Sequence, residues 1–319
     1  MANIVMLDRN AFPSTTALKA ISSPHTWSNY ANSKPQQVIA RLTDAEVVVT
    51  SKVHITDEIL TACPNLKHIA VAATGYNVID LDACKKHNVS VSNIPSYASN
   101  TVAEHVIATS LTLRREINQY RQLVINDEWQ KSEGFCLFDK PVNDLRGATL
   151  GIIGLGDIGL ATAQLAVNIG MKVVFAARRP IQCDIAQQVD TQQLIESSDI
   201  ISLHCSLNKD SANLISTNEF QQMQNHAILI NTARGGIVDE FALVDAIKNN
   251  KIGGAAIDVL VEEPPKDHSP LLSIAERTNV IITPHIAWTS QQALQTAANI
   301  LVDNVEQFLA GSPCNLVSL

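Results

Sequence analysis

Three short clusters in the last third of the sequence carry groups whose types and spacing could do chemistry together. They are Asn231-Thr232-Ala233-Arg234-Gly235-Gly236, Asp258-Val259-Leu260-Val261-Glu262-Glu263-Pro264 and Thr283-Pro284-His285-Ile286-Ala287-Trp288. Each ends a short apolar run that reads as a strand, and ligands of open α/β sheets bind outside the carboxyl ends of strands, so the three can converge. A guanidinium such as that of Arg234 matches a carboxylate bidentately. The imidazole of His285 titrates in the range needed for proton exchange, and a nearby Glu orients it and favours its charged form. Arg, Glu and His together suit reduction of a 2-oxo acid. Taken singly, each has a plainer reading: Arg234 as a turn cap, His285 as a hydrogen-bonded core histidine, Glu263 as a solvated carboxylate. Trp288 fits equally as a pocket wall beside His285 or as core.

A second motif lies upstream. The run from Thr149 to Ile153 reads as a strand; Gly154-Leu155-Gly156-Asp157-Ile158-Gly159 follows, and then a helical pattern. In this context the three glycines form a dinucleotide-binding turn. Gly154 permits the tight turn, Gly156 lets the backbone approach a pyrophosphate, and Gly159 lets the helix sit close on the strand. The N–H groups at the helix start then face the phosphates. An NAD site places Asp or Glu at the end of the next strand to bind the ribose 2′-hydroxyl. Here that strand ends in Ala177-Arg178-Arg179-Pro180. The acid is missing and two arginines follow, which suits a 2′-phosphate and predicts NADPH favoured over NADH by about 10- to 100-fold.

The elements that must position these groups are legible as alternation. Short Val/Ile-rich runs at 4–7, 46–50, 68–72, 89–92, 149–153, 172–176, 200–203, 227–231, 254–258 and 280–282 read as strands buried on both faces of parallel sheets. Helical patterns at 57–62, 80–87, 101–126, 158–169, 239–248 and 290–310 lie between them. This is α/β architecture with doubly wound layers. The helix at 101–126 opens Thr101-Val102-Ala103-Glu104, a capping-box pattern, and its length suits an inter-domain connector. The loop after it gathers Trp129, Phe135 and Phe138, either as local packing or as a subunit contact.

The 319 residues suggest two domains, and the 46% hydrophobic content is ample for a core. A net charge of −8, from 31 acids and 23 bases, disfavours nucleic-acid and membrane-surface partners but not a small anion at a local site. The six cysteines are scattered without a C-x-x-C pair, and the nine histidines show no metal-ligand spacing, so neither disulfides nor a metal are expected. The start of the chain reads as a strand rather than a signal peptide, and no apolar run reaches the roughly 18 residues of a spanning helix, which points to a cytoplasmic protein.

Over essentially its whole length the sequence resembles the D-isomer-specific 2-hydroxyacid dehydrogenases. The resemblance is carried by Thr74-Gly75-Tyr76-Asn77, Thr101-Val102-Ala103-Glu104-His105, the glycine turn, Leu203-His204-Cys205-Ser206-Leu207, and the three clusters above. Within that family, the stretch Val71-Ala72-Ala73-Thr74-Gly75 and the segment Phe135-Cys136-Leu137-Phe138-Asp139 are most similar to the glycerate dehydrogenases, or hydroxypyruvate reductases. The resemblance implies a Rossmann nucleotide domain at 100–287 inserted into a flavodoxin-like substrate domain at 1–99 and 288–319, and a homodimer built largely on the nucleotide domain. It implies Arg234, Glu263 and His285 as the catalytic set, and Thr74 and Gly75 as substrate-carboxylate contacts. Thr101, Asp157, Ile158, Arg178, Arg179, Ser206, Thr232 and Asp258 match cofactor positions, with Asp258 near the nicotinamide carboxamide. The implied reaction is reversible reduction of hydroxypyruvate, and of glyoxylate as a second substrate. The alternatives are another D-2-hydroxyacid dehydrogenase or a non-catalytic nucleotide-sensing relative. Ser206 departs from the family's usual proline, and Ala177-Arg178 departs from its acid-bearing pattern.

Overall fold

The computed structural model describes residues 1–319, which divide into two compact units: Met1–Tyr97 with Thr289–Leu319, and Ala98–Trp288. The first unit runs β1 (Ala2–Met6), β2 (His25–Asn29), α1 (Pro35–Leu42), β3 (Val47–Thr50), α2 (Asp57–Ala62), β4 (His68–Val71), α3 (Leu81–His87) and β5 (Ser90–Ser92). All pairings are parallel and the order is β2-β1-β3-β4-β5. This is the flavodoxin-like order. β3 and β4 are buried at every residue, Thr50 and His68 included, as strands covered on both faces are. The C-terminal helix returns to this unit and packs on β4. It buries Leu294, Ala297, Ala298, Leu301, Val302 and Val305, a stripe at helical spacing.

The second unit holds α4 (Ser99–Arg114), α5 (Ile117–Ile125), β6 (Thr149–Ile153), α6 (Asp157–Asn168), β7 (Lys172–Ala176), β8 (Gln187–Gln188), α7 (Thr191–Ser197), β9 (Ile200–Leu203), α8 (Thr217–Gln222), β10 (Ile228–Asn231), α9 (Glu240–Lys248), β11 (Gly254–Ile257) and β12 (Val280–Ile282); the C-terminal helix is α10 (Gln291–Leu309). Its seven parallel strands lie in the order β12-β11-β10-β9-β6-β7-β8. Counted from β6 this is the Rossmann order with β12 added at one edge, and the order reverses between β6 and β9.

The expected helix at 101–126 is two helices, and it is not a connector. α4 begins at Ser99 behind Ala98, so Thr101 is already inside the first turn and forms no capping box with Glu104. α4 packs on α6 within the second unit. It stops because Arg114 is held elsewhere: its carbonyl accepts the Asn143 N–H at 3.0 Å and its guanidinium meets Asp199 at 3.1 Å. Glu116 then takes a left-handed φ of 52° before α5 starts. In the following loop Phe135 and Phe138 are each 92% exposed, so local packing does not account for them.

Candidate active site

His285 stands just beyond β12 with φ 56°, a left-handed conformation that a side-chain-bearing residue keeps only when its surroundings enforce it. Asp258, which follows β11 and is 1% exposed, enforces it. Its carbonyl accepts the His285 N–H at 2.9 Å. Its carboxylate accepts the Thr283 hydroxyl at 2.5 Å, the Ile286 N–H at 2.8 Å and the Ala287 N–H at 2.9 Å. One buried carboxylate thus organises a whole turn.

The imidazole that this turn presents is paired. Glu263 Oε2 lies 2.6 Å from His285 Nδ1, and Glu263 Oε1 accepts the Leu260 N–H at 2.9 Å. The Glu263 carboxylate is therefore oriented by backbone and fixes the ring, which leaves Nε2 as the nitrogen able to exchange a proton. Both side chains are about one-third exposed.

Arg234 lies on the turn after β10, beside β11 in the sheet. Asn231 shapes that turn: its Oδ1 accepts the Ala233 N–H at 3.0 Å and its Nδ2 donates to the Arg234 carbonyl at 3.0 Å. Gly235 presses on the neighbouring turn so closely that a Cβ would stand 1.9 Å from the Leu260 carbonyl oxygen. Leu260 is the residue whose N–H holds Glu263. The Arg234 turn and the Glu263–His285 pair are therefore packed at the carboxyl ends of three adjacent strands. The Arg234 guanidinium is exposed and donates only to the Ala233 carbonyl, at 2.7 Å.

The glycine turn lies at the carboxyl end of β6. Gly154 has φ 98°, and a Cβ there would come within 2.8 Å of the Cys205 nitrogen. A Cβ on Gly159 would lie 2.3 Å from the Gly154 carbonyl oxygen, whereas one on Gly156 would meet nothing within 4 Å. The first and third glycines are thus required by packing, and the second opens on free space at the start of the twelve-residue α6. Asp157 and Ile158 form its first turn. Thr232 Oγ1 is buried without a hydrogen-bond partner. Such a glycine cradle, exposed helix start and unsatisfied hydroxyl fit a dinucleotide. Arg178 and Arg179 follow β7, both exposed, with Arg178 3.9 Å from Asp210. Ser206 lies on the loop after β9, its carbonyl accepting the Ser211 hydroxyl at 2.7 Å. His204 in the same loop bonds Ser202 at 2.9 Å, and desolvation holds its pKa down to about 4.

Four predicted residues remain. Thr74 and Gly75 are in the first unit, on the loop after β4, where the Thr74 hydroxyl donates to the Ile94 carbonyl at 2.8 Å. Thr101 is in α4, and Trp288 closes the second unit, half-buried. A cavity of about 630 Å³ in the first unit, between α1 and α2, is lined by none of the predicted site residues. Sequence reasoning missed the turn-holding function of Asp258. His105 in α4 feels the same carboxylate: desolvation lowers its pKa while the Asp258 charge opposes the shift. The motif containing His105 was visible, but nothing in it pointed to Asp258.

Residues 107–287 match the NAD-binding domain of the D-isomer specific 2-hydroxyacid dehydrogenases. The chain belongs to that family. It is 43% identical over 318 residues to a glycerate dehydrogenase of Methylorubrum extorquens, covering 98% of each chain. It is 36% identical over 286 residues to a hydroxypyruvate reductase of Blautia hydrogenotrophica, covering 89% of this chain and 88% of that one. Among solved structures, an acyclic imino acid reductase in complex with NADPH and D-Arg superposes with a TM-score of 0.83 at 28% identity, covering 99% of this chain and 100% of that one. As a member of the family the protein is a nicotinamide-dependent oxidoreductase. No helix in it is long and apolar enough to cross a membrane.

Proposed function

We propose that this protein reduces hydroxypyruvate to D-glycerate, accepts glyoxylate as a second substrate, and favours NADPH over NADH. The observation that carries the reading is the 2.6 Å Glu263–His285 pair packed beside the Arg234 turn. The Arg234 guanidinium binds the substrate carboxylate and polarises the 2-oxo group. His285 Nε2 gives its proton to the oxygen on C2 as that oxygen gains negative charge. Glu263 holds Nδ1, so the ring keeps its orientation while Nε2 loses the proton. The glycine turn, the start of α6, Thr232, Ser206 and Asp258 hold the dinucleotide. When bound, its nicotinamide supplies the hydride that reduces C2.

Similarity to a glycerate dehydrogenase and a hydroxypyruvate reductase supports the substrate class. The exposed arginines in place of an acid after β7 support the cofactor preference. The test is a matrix of NADH and NADPH against hydroxypyruvate, glyoxylate and pyruvate. Hydroxypyruvate with NADPH should give the highest kcat/KM. Equal or better use of NADH refutes the reading of Arg178 and Arg179, and a preference for pyruvate refutes the substrate.

We also propose that the protein works in the cytoplasm as a homodimer, with Phe135 and Phe138 covered by a second copy. Such exposed aromatics are enriched at interfaces. Light scattering should return twice the chain mass, and a monomer at micromolar concentration would overturn this.

A further inference from the structure

The turn that carries Arg178 and Arg179 is held by a side chain outside it. Gln188 in β8 reaches back along the sheet edge. Its Nε2 donates to the carbonyls of Ala177 at 3.3 Å and Arg179 at 3.0 Å, and its Oε1 accepts the Ile181 N–H at 2.9 Å. One amide thereby ties three backbone groups of the segment 177–181. β8 is only two residues long and pairs with β7 in parallel register, Phe175 opposite Gln188. The amide is thus anchored to the very strand that the two arginines extend. Both N–H groups of its donor nitrogen are engaged by carbonyls, so Gln188 has no donor left for a ligand. The guanidiniums, by contrast, are exposed.

We infer that Gln188 is a positioning residue for cofactor selectivity: by clamping the 177–181 turn it preorganises Arg178 and Arg179 for the 2′-phosphate of NADPH. The inference rests on the reading of the two arginines proposed above. Its physical basis is that a loop fixed before binding loses less conformational freedom on binding. The benefit falls only on the ligand that the arginines touch. A neutral amide adds no charge, so any effect on a phosphate must pass through them.

The variant Gln188→Met keeps the unbranched shape and removes all three hydrogen bonds. Binding of 2′,5′-ADP and of 5′-AMP, followed by calorimetry, isolates the 2′-phosphate from the reaction. The set is the wild type, Q188M, the double variant R178A/R179A and the triple variant. The wild type should bind 2′,5′-ADP more tightly than 5′-AMP. Q188M should weaken 2′,5′-ADP by roughly 3- to 10-fold and leave 5′-AMP unchanged. The triple variant should match R178A/R179A, because Gln188 acts through those arginines. In turnover, Q188M should raise KM for NADPH, with kcat and KM for NADH unchanged. If R178A/R179A abolishes the preference while Q188M retains it, the inference falls and the arginine reading stands. If Q188M weakens both nucleotides equally, Gln188 merely supports the fold and the inference falls. A wild type that binds the two nucleotides equally overturns both.

Discussion

Asp258 holds the backbone on which His285 stands. Its carbonyl takes the His285 N–H at 2.9 Å, and its carboxylate takes the N–H groups of the next two residues. Position and chemistry are thus divided: Asp258 fixes where the imidazole stands, and Glu263 fixes how it points.

The substitution Asp258→Asn keeps one acceptor and turns the other into a donor facing an amide N–H. A hydrogen bond to a charged group contributes roughly 1.5–3 kcal/mol, so kcat should fall about 10- to 100-fold as the turn relaxes. Steady-state kinetics beside a thermal melt check this. Undiminished turnover would mean that the turn holds itself.

His285→Ala removes the proton donor, and turnover should fall about 10²- to 10⁴-fold with dinucleotide affinity nearly intact. Glu263→Gln retains a hydrogen-bond acceptor but not the charge, so its loss should be smaller than that of H285A. Paired kinetics and cofactor titrations distinguish these effects; near-normal kcat in H285A would refute the assignment.

Gly235→Ala places a methyl group 1.9 Å from the Leu260 carbonyl oxygen, against backbone rather than a yielding side chain. Overpacking of this kind costs about 1–3 kcal/mol. Chemical denaturation should report that loss. Because the displaced turns carry Arg234 and Glu263, KM for the 2-oxo acid should rise and kcat should fall. Wild-type stability and kinetics would contradict the contact.

His68 predicts an acid limb in the stability curve. It is fully buried in β4, 2.8 Å from the Ser90 hydroxyl and 2.9 Å from that of Ser92, and stacked on Phe308 of α10 at 4.4 Å. Burial lowers its pKa from 6.5 to about 4. Between those values the unfolded chain binds more protons than the folded one, so stability is complete above pH 6.5 and falls as pH drops toward 4. The loss amounts to roughly 3 kcal/mol. Urea titrations across this range should show the slope, and His68→Gln should reduce it, leaving the part that the likewise desolvated His204 contributes.

The strands most legible in the sequence were the short, largely apolar ones of the parallel sheets. β6, β7, β9 and β12 fall where the apolar runs place them, because strands covered on both faces are rich in Val, Ile and Leu. β2, a largely exposed edge strand of sequence His-Thr-Trp-Ser-Asn, carries no such signature and was not expected. Neither were the two-residue β8 nor the short α7 and α8, whose patterns are too brief to show a period. The division of the 101–126 segment was hidden for another reason. Its cause is long-range: the pairing of Arg114 with Asp199 and the capture of its carbonyl by Asn143.

The sequence by itself determined the chemistry available: a glycine turn for phosphates, two arginines where an acid is usual, and an Arg, a Glu and a His at strand ends. Those follow from residue type and local spacing, which act through nearest neighbours. Only the tertiary structure decided which carboxylate holds the backbone under the imidazole, and which distant glutamine fixes the arginine turn. Those are choices among oxygens and amides of equal chemistry. They are settled by parallel register between β10, β11 and β12 and between β7 and β8, which no local pattern records.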